Sequence, residues 1–126
     1  VIFHSVLSRS KETAERVMAS MGLDGILTER EGLEPGDSPD DLLADIIAEF
    51  GKTEHKVMLV GHDPFISDLA SLMIGRSKAA LPIKFTTGTL LGADGVAGGS
   101  SWALRFYITS KHLERLAPRQ VSKNVA

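Results

Sequence analysis

The feature that most constrains the fold is a short apolar run followed by Gly-His-Asp-Pro. Residues 57–60, Val-Met-Leu-Val, have the composition of a strand that is buried on both faces. After Gly61 and His62, Asp63 is expected to cap a helix and Pro64 to take its first position. Apolar residues then recur at helical spacing, at Phe65, Ile66, Leu69, Leu72 and Met73. The stretch predicts a strand, a tight turn and a helix, with His62 at the carboxyl end of the strand.

Strand and helix patterns alternate before this stretch. Strands are predicted at residues 1–3 and 25–28, and the helices that follow them end at Gly22 and Gly51. The second helix has a strong start at residues 38–41, Ser-Pro-Asp-Asp, in which the serine is the cap and the proline the first helical residue. Strands that alternate with helices in this way pair in parallel, and the helices cover both faces of the sheet.

The C-terminal part has a different pattern. Residues 84–91 and 101–108 are predicted to be strands of an antiparallel hairpin, joined by the glycine-rich segment 92–99. Apolar side chains alternate along the second strand, so one face of it is expected to be covered. A last short helix is expected to be capped by Ser110 and to bury its two leucines. The predicted fold is α/β: a three-layer α/β/α sandwich with a mostly parallel central sheet and an antiparallel C-terminal hairpin.

Composition narrows the class of protein. The 126 residues suffice for a single domain, and the formal net charge of -2 gives no bias toward nucleic acid or an anionic membrane. The absence of cysteine excludes disulfides, thiolate metal sites and thiol nucleophiles, and it fits a reducing compartment. No apolar run approaches the roughly 20 residues that a transmembrane helix needs. We therefore expect a cytoplasmic protein.

Two residues are predicted to lie on the same rim of the sheet. Arg9 follows the first predicted strand and His62 follows a later one, and the carboxyl ends of parallel strands share one rim. A guanidinium group presents a planar fork of donors to an oxyanion, and helix N-termini add oriented N–H groups. The pattern favours an anion pocket, most naturally for phosphate. A structural histidine and a surface arginine are the alternatives that the residues alone leave open.

Three segments resemble motifs of the histidine phosphatase superfamily. Residues 5–14, Ser-Val-Leu-Ser-Arg-Ser-Lys-Glu-Thr-Ala, are similar to its Ser-Pro-x-x-Arg-Ala-x-Gln-Thr-Ala signature. Residues 60–64, Val-Gly-His-Asp-Pro, resemble its second conserved histidine motif. Residues 85–88, Phe-Thr-Thr-Gly, and the final hairpin resemble the small phosphohistidine phosphatase branch, the SixA type. The motifs occur in the family's order over nearly the whole chain.

The resemblance implies a phosphoglycerate mutase-like fold and a phosphatase that works through a phosphohistidine intermediate. It assigns catalytic roles in phosphoryl binding to Arg9 and His62 and places Ser5 at the rim of the pocket. Glu34, in the loop after the second strand, is a candidate for substrate binding or, with Asp37, for the general acid; a solvated loop without a role in the site is the alternative for both residues. No metal and no cofactor are implied. The expected partner is a phosphorylated protein, namely a phosphohistidine signalling domain.

The sequence also departs from the family pattern. The family's Arg-His-Gly motif, which carries the nucleophilic histidine on an internal strand, is not in this sequence, so we expect an N-terminally incomplete domain. Loss of that strand is expected to expose unpaired strand edges. His4 is no substitute, because it precedes Ser5 inside a different motif. Two alternatives stay open: a phosphate- or phosphoprotein-binding module without catalysis, and a small-molecule phosphomonoesterase.

Overall fold

The computed structural model describes residues 1–22, 25–52, 54–95 and 102–116. The predicted order of elements, β-α-β-α-β-α-β-β-α, is confirmed. The strands and helices are β1 (Ile2–His4), α1 (Ser8–Ser20), β2 (Leu27–Glu29), α2 (Pro39–Phe50), β3 (Met58–Val60), α3 (Phe65–Gly75), β4 (Leu90–Gly95), β5 (Trp102–Ile108) and α4 (Ser110–Leu116). We call β1–β3 with α1–α3 the parallel unit, and β4, β5 and α4 the hairpin unit.

The parallel unit is built on a three-stranded sheet with the order β2-β1-β3. Both pairings are parallel, with His4 opposite Glu29 on one side and opposite Val60 on the other. The Ser5 amide extends the ladder by donating to the Val60 carbonyl oxygen at 3.1 Å. The carboxyl ends of all three strands therefore meet at one rim.

Apolar side chains pack on both faces of this sheet, which gives the three layers. On one face Ala14 of α1 packs with Ile2 and Val60. On the other face Phe3 packs against helices α2 and α3, in a cluster with Leu33, Leu42, Ile46, Phe65 and Leu69. Phe65, the first residue of α3, is only 2% exposed. The residues just after His62 therefore anchor the turn to the core.

The local signals at helix ends are mostly confirmed. Ser38 caps α2 by accepting a hydrogen bond from the Asp41 amide at 3.3 Å, and Gly51 is the C-cap. The expected cap at Asp63 is wrong, because α3 starts one residue later and Pro64 is its N-cap. The Asp63 carboxylate instead accepts a 2.6 Å hydrogen bond from the Ser67 hydroxyl, within the first turn of α3.

The hairpin unit forms a separate antiparallel sheet, and its first strand differs from the prediction. β4 begins at Leu90, because a turn in which the Thr89 amide donates to the Thr86 carbonyl, with Gly88 at φ +79°, precedes it. β4 also continues into the predicted loop, as far as Gly95. Gly92 is suited to this strand because a Cβ there would overlap the Phe106 ring. The rest of the predicted loop, residues 96–99, lies outside the described residues.

Apolar side chains of the hairpin unit are more exposed than expected. On β5, Leu104 is 50% exposed and Phe106 42% exposed, so the predicted covered face is open. On α4 the leucines were expected to be buried, but Leu113 is 54% exposed and Leu116 80% exposed. Thr109, not Ser110, caps α4, since its hydroxyl accepts from the His112 amide.

The break between the two sheets leaves one edge of β3 open. β3 pairs with β1, and its other edge pairs with no described strand. An unpaired edge of this kind is a place where a further strand can add. None of the described helices is long and apolar enough to cross a membrane.

Candidate active site

His62 lies at the carboxyl end of β3, where the sequence pattern places it. Its carbonyl oxygen accepts a 2.8 Å hydrogen bond from the Ile66 amide, which fixes the turn into α3. Its side chain is half-buried, and its Nε2 atom lies 2.7 Å from the Ser5 hydroxyl oxygen and 3.1 Å from that of Ser10. The His62 imidazole, which follows β3, thus contacts the segment that follows β1.

Ser5 directly follows β1, at the carboxyl rim of the sheet, and is fully buried, at 0% exposure. Its hydroxyl oxygen accepts a hydrogen bond from the Leu7 amide at 3.3 Å and contacts His62. In this structure the hydroxyl therefore orients the imidazole. A direct contact between Ser5 and a substrate stays a prediction.

Arg9 is the second residue of α1 and is exposed. It is adjacent in the chain to Ser10, whose side chain contacts His62, so the first turn of α1 lies beside the imidazole. This turn contains no acidic residue, and Arg9 forms no ion pair within the described part of the chain. An unpaired guanidinium at a helix N-terminus is electrostatically suited to an anion. A shared contact of Arg9 and His62 with one oxyanion stays a prediction.

The loop that carries Glu34 passes beside the His62 turn. Leu33 is fully buried, and its carbonyl oxygen lies 3.4 Å from the position that a Cβ on Gly61 would occupy. The Asp37 carboxylate accepts a 2.9 Å hydrogen bond from the Glu34 amide, so Asp37 shapes this loop. Glu34 is half-buried, and its role toward a substrate stays a prediction.

Two other groups near the rim have structural contacts. Arg30 follows β2, but its guanidinium pairs with Glu49 at 2.8 Å and stacks on the Phe3 ring at 4.7 Å. His4 is 4% exposed, and its Nδ1 atom lies 2.8 Å from the Ser5 carbonyl oxygen. Arg30 is therefore neutralised, and His4 is enclosed. Within the described ranges, no group of three His, Asp or Glu side chains is arranged to hold a metal ion.

Sequence reasoning missed Ser10. It is 3% exposed and lies on α1, where its hydroxyl reaches His62. The only signal was its place in the motif that resembles the family signature, where alanine stands in the pattern. A serine in the first turn of a helix usually bonds to nearby backbone or to water, so spacing alone does not indicate this contact.

Comparisons with known proteins identify the fold. No protein-family model matches the chain, and no curated protein matches it. The structure is similar to the solved structure of the protein histidine phosphatase SixA complexed with tungstate, with a TM-score of 0.78 and 17% sequence identity. The match covers 89% of this chain and 69% of that chain. The chain thus has the α/β fold predicted from its sequence, with a parallel sheet and an antiparallel hairpin, and it shares this fold with the SixA structure.

Proposed function

We propose that this protein is a phosphatase that removes phosphoryl groups through a phosphohistidine intermediate, with a phosphohistidine-bearing signalling protein as its substrate. The observation that carries the proposal is the contact of His62 with Ser5 and Ser10, on the segment that also bears Arg9. It joins two of the motif-like segments at one rim of the sheet. The shared fold with a histidine phosphatase that was solved with tungstate, a tetrahedral oxyanion, supports it.

The proposed chemistry relies on cationic and N–H donors. In phosphoryl transfer, negative charge is spread over the equatorial oxygens, and donors fixed in advance around them lower the barrier. Arg9 would bind two of these oxygens, and His62 would donate to a third. Glu34 is proposed to contact the substrate, because its loop passes beside the His62 turn.

The nucleophile is proposed to come from another strand. Among the described residues, His4 is enclosed and His55 lies beyond the opposite, amino end of β3. We propose that the nucleophilic histidine precedes Val1 in the full-length protein, on a strand that pairs with the open edge of β3. The separation of the two sheets leaves that edge available.

The proposal is tested by phosphate release from a phosphohistidine domain, measured with the full-length protein and its variants. Arg9→Ala and His62→Ala are each expected to lower kcat/KM by about 10²–10³-fold, the usual effect of removing a donor to the transition state. Arg16→Ala, on the exposed face of the same helix, and His55→Gln are matched controls that are expected to keep full activity. Losses below tenfold for Arg9→Ala and His62→Ala, or equal losses in the controls, contradict the assigned roles.

A binding module without catalysis is the second candidate. It is favoured by one observation: His4, the histidine at the carboxyl end of β1, is only 4% exposed and so is not available as a nucleophile. Calorimetry with inorganic phosphate that shows binding lost in Arg9→Ala, together with no turnover by the full-length protein, would establish this function. Turnover of small phosphomonoesters but not of the phosphohistidine domain would instead identify a phosphomonoesterase.

A further inference from the structure

The two ring nitrogens of His62 have different surroundings. Nε2 faces two hydroxyl groups, at 2.7 Å from Ser5 and 3.1 Å from Ser10. Nδ1 has no hydrogen bond to any residue in the described ranges. The contact made by one nitrogen of an imidazole decides which nitrogen carries the proton and which way the ring faces. The Nε2 atom of His62 is therefore hydrogen-bonded within the protein, whereas Nδ1 is available to a ligand.

Ser5 is suited to donate the hydrogen bond to His62. Its oxygen already accepts from the Leu7 amide, at 3.3 Å, so its own O–H is free to donate to His62 Nε2. A neutral imidazole accepts at only one nitrogen and donates from the other. With Nε2 as the acceptor, the proton of the neutral ring lies on Nδ1.

The Ser10 hydroxyl can serve as a hydrogen-bond acceptor when the His62 ring is protonated. In an imidazolium both nitrogens donate, so Nε2 then requires an acceptor oxygen in place of a donor. The Ser10 oxygen, 3.1 Å away, is in position to accept. Ser10 is 3% exposed and Ser5 0% exposed, and both hydroxyls contact the imidazole.

We infer that Ser10 is a positioning residue: together with Ser5 it holds Nε2 of His62 and keeps an N–H on Nδ1 available to an oxyanion. The opposite neutral tautomer would present a lone pair on Nδ1, which repels an anion. The inference rests on the proposed function, since it names the atom of His62 that meets a phosphoryl oxygen. It also makes a statement about the resting protein that can be measured without turnover.

The test uses the full-length protein labelled with 15N at histidine. Protonated and unprotonated ring nitrogens have distinct 15N shifts, so correlation spectra of the neutral ring report its tautomer. We expect the Nδ1–H form in the unmodified protein and a mixture of tautomers in Ser10→Ala. Tungstate binding and phosphate release are expected to fall about threefold to tenfold in Ser10→Ala, the effect of one neutral hydrogen bond.

Ser8→Ala is the matched control. Ser8 is exposed, lies in the same turn of α1 and has no hydrogen bond to His62, so its loss is expected to change neither tautomer nor binding. A neutral ring with its proton on Nε2, or a Ser10→Ala spectrum identical to that of Ser8→Ala, overturns the inference. If the tautomer and tungstate binding change as expected but the unmodified full-length protein releases no phosphate, the positioning role stands and the proposed catalytic function fails.

Discussion

The parallel unit and the hairpin unit differ in how they bury their apolar side chains. In the parallel unit, core residues on both faces of the sheet are less than a tenth exposed, as with Phe3 at 6% and Phe65 at 2%. In the hairpin unit, Leu104 and Phe106 are about half exposed, and helix α4 has no buried residue. Both units have regular strands, but only the first has a core on each face.

The difference shows what each unit needs in order to form. Hairpin strands are neighbours in the chain, so their pairing costs little loop-closure entropy and can form with partial burial. The parallel strands are brought together over long sequence separations, and only packing by helices α1–α3 offsets that cost. The described contacts of the candidate active site, those of Ser5 and Ser10 with His62, all lie on the parallel unit. Its geometry therefore depends on the well-packed half of the molecule.

The largest expected effect comes from truncating a core aromatic side chain. Phe65→Ala is expected to lower the free energy of unfolding by about 3–5 kcal/mol, because the cavity lies in the cluster under the His62 turn. Phe106→Ala, in the hairpin, is the control and is expected to cost clearly less. Urea unfolding followed by far-UV circular dichroism measures both. Equal costs would show that the hairpin is as well packed as the parallel unit.

A smaller effect is expected from crowding the turn before His62. A Cβ on Gly61 would lie 3.1 Å from two carbon atoms of the Ile66 side chain, so Gly61→Ala is expected to destabilise by about 1–3 kcal/mol. Gly25→Ala is the control, because its Cβ would meet only Met18, at an ordinary 3.8 Å. Thermal unfolding of the two variants makes the comparison. Equal stability of the two variants would mean that the Ile66 side chain and the turn adjust to the added Cβ without loss of stability.

Removal of a helix N-cap from each unit compares how much α2 and α4 contribute to global stability. Ser38→Ala is expected to cost about 1 kcal/mol, because α2 is part of the core. Thr109→Ala removes a similar cap from α4, which buries nothing, so α4 is expected to fray with a global cost below about 0.5 kcal/mol. Hydrogen exchange of α4 amides together with urea unfolding separates local from global loss. A global cost for Thr109→Ala equal to that for Ser38→Ala would contradict the comparison.

The smallest effect is expected on the open face of β5. Leu104→Thr should change the free energy of unfolding by less than about 0.5 kcal/mol, since the side chain is 50% exposed and threonine suits a strand. Chemical unfolding monitored by fluorescence of Trp102, which lies on the same strand, makes the measurement. A cost of about 2 kcal/mol or more would show that another strand or a partner covers this face.

Much of the fold could be predicted because its signals are local. The start of α2 and its end at Gly51 follow from residues adjacent in the chain. The predictions fail where the structure depends on residues that are distant in the sequence. β4 runs through Gly92 because the Phe106 ring of the opposite strand occupies the space of a side chain there. The leucines of α4 match a helical period, but the described structure has no surface that covers them.

The candidate active site could be predicted only in part, for the same reason. His62 follows from a strand pattern and the glycine after it, and its position at the rim is confirmed. The cap at Asp63 was wrong, because its carboxylate bonds to the Ser67 side chain while α3 starts later. Ser10 was missed because its partner is 52 residues away in the chain, and helical spacing does not report such contacts. Tertiary packing determines which side chains come into contact at the rim of the sheet.

The open edge of β3 has a consequence for how accurately an added strand can be placed. Within this strand, Met58 donates its amide to Val1 and Val60 accepts from Ser5, so these two residues use their backbone groups toward β1. Leu59, between them, directs its amide and carbonyl groups the other way. Of the three residues of β3, Leu59 is therefore the one whose backbone groups are directed to an added strand. The register of such a strand is expected to depend also on how its side chains pack against the helices on the two faces of the sheet.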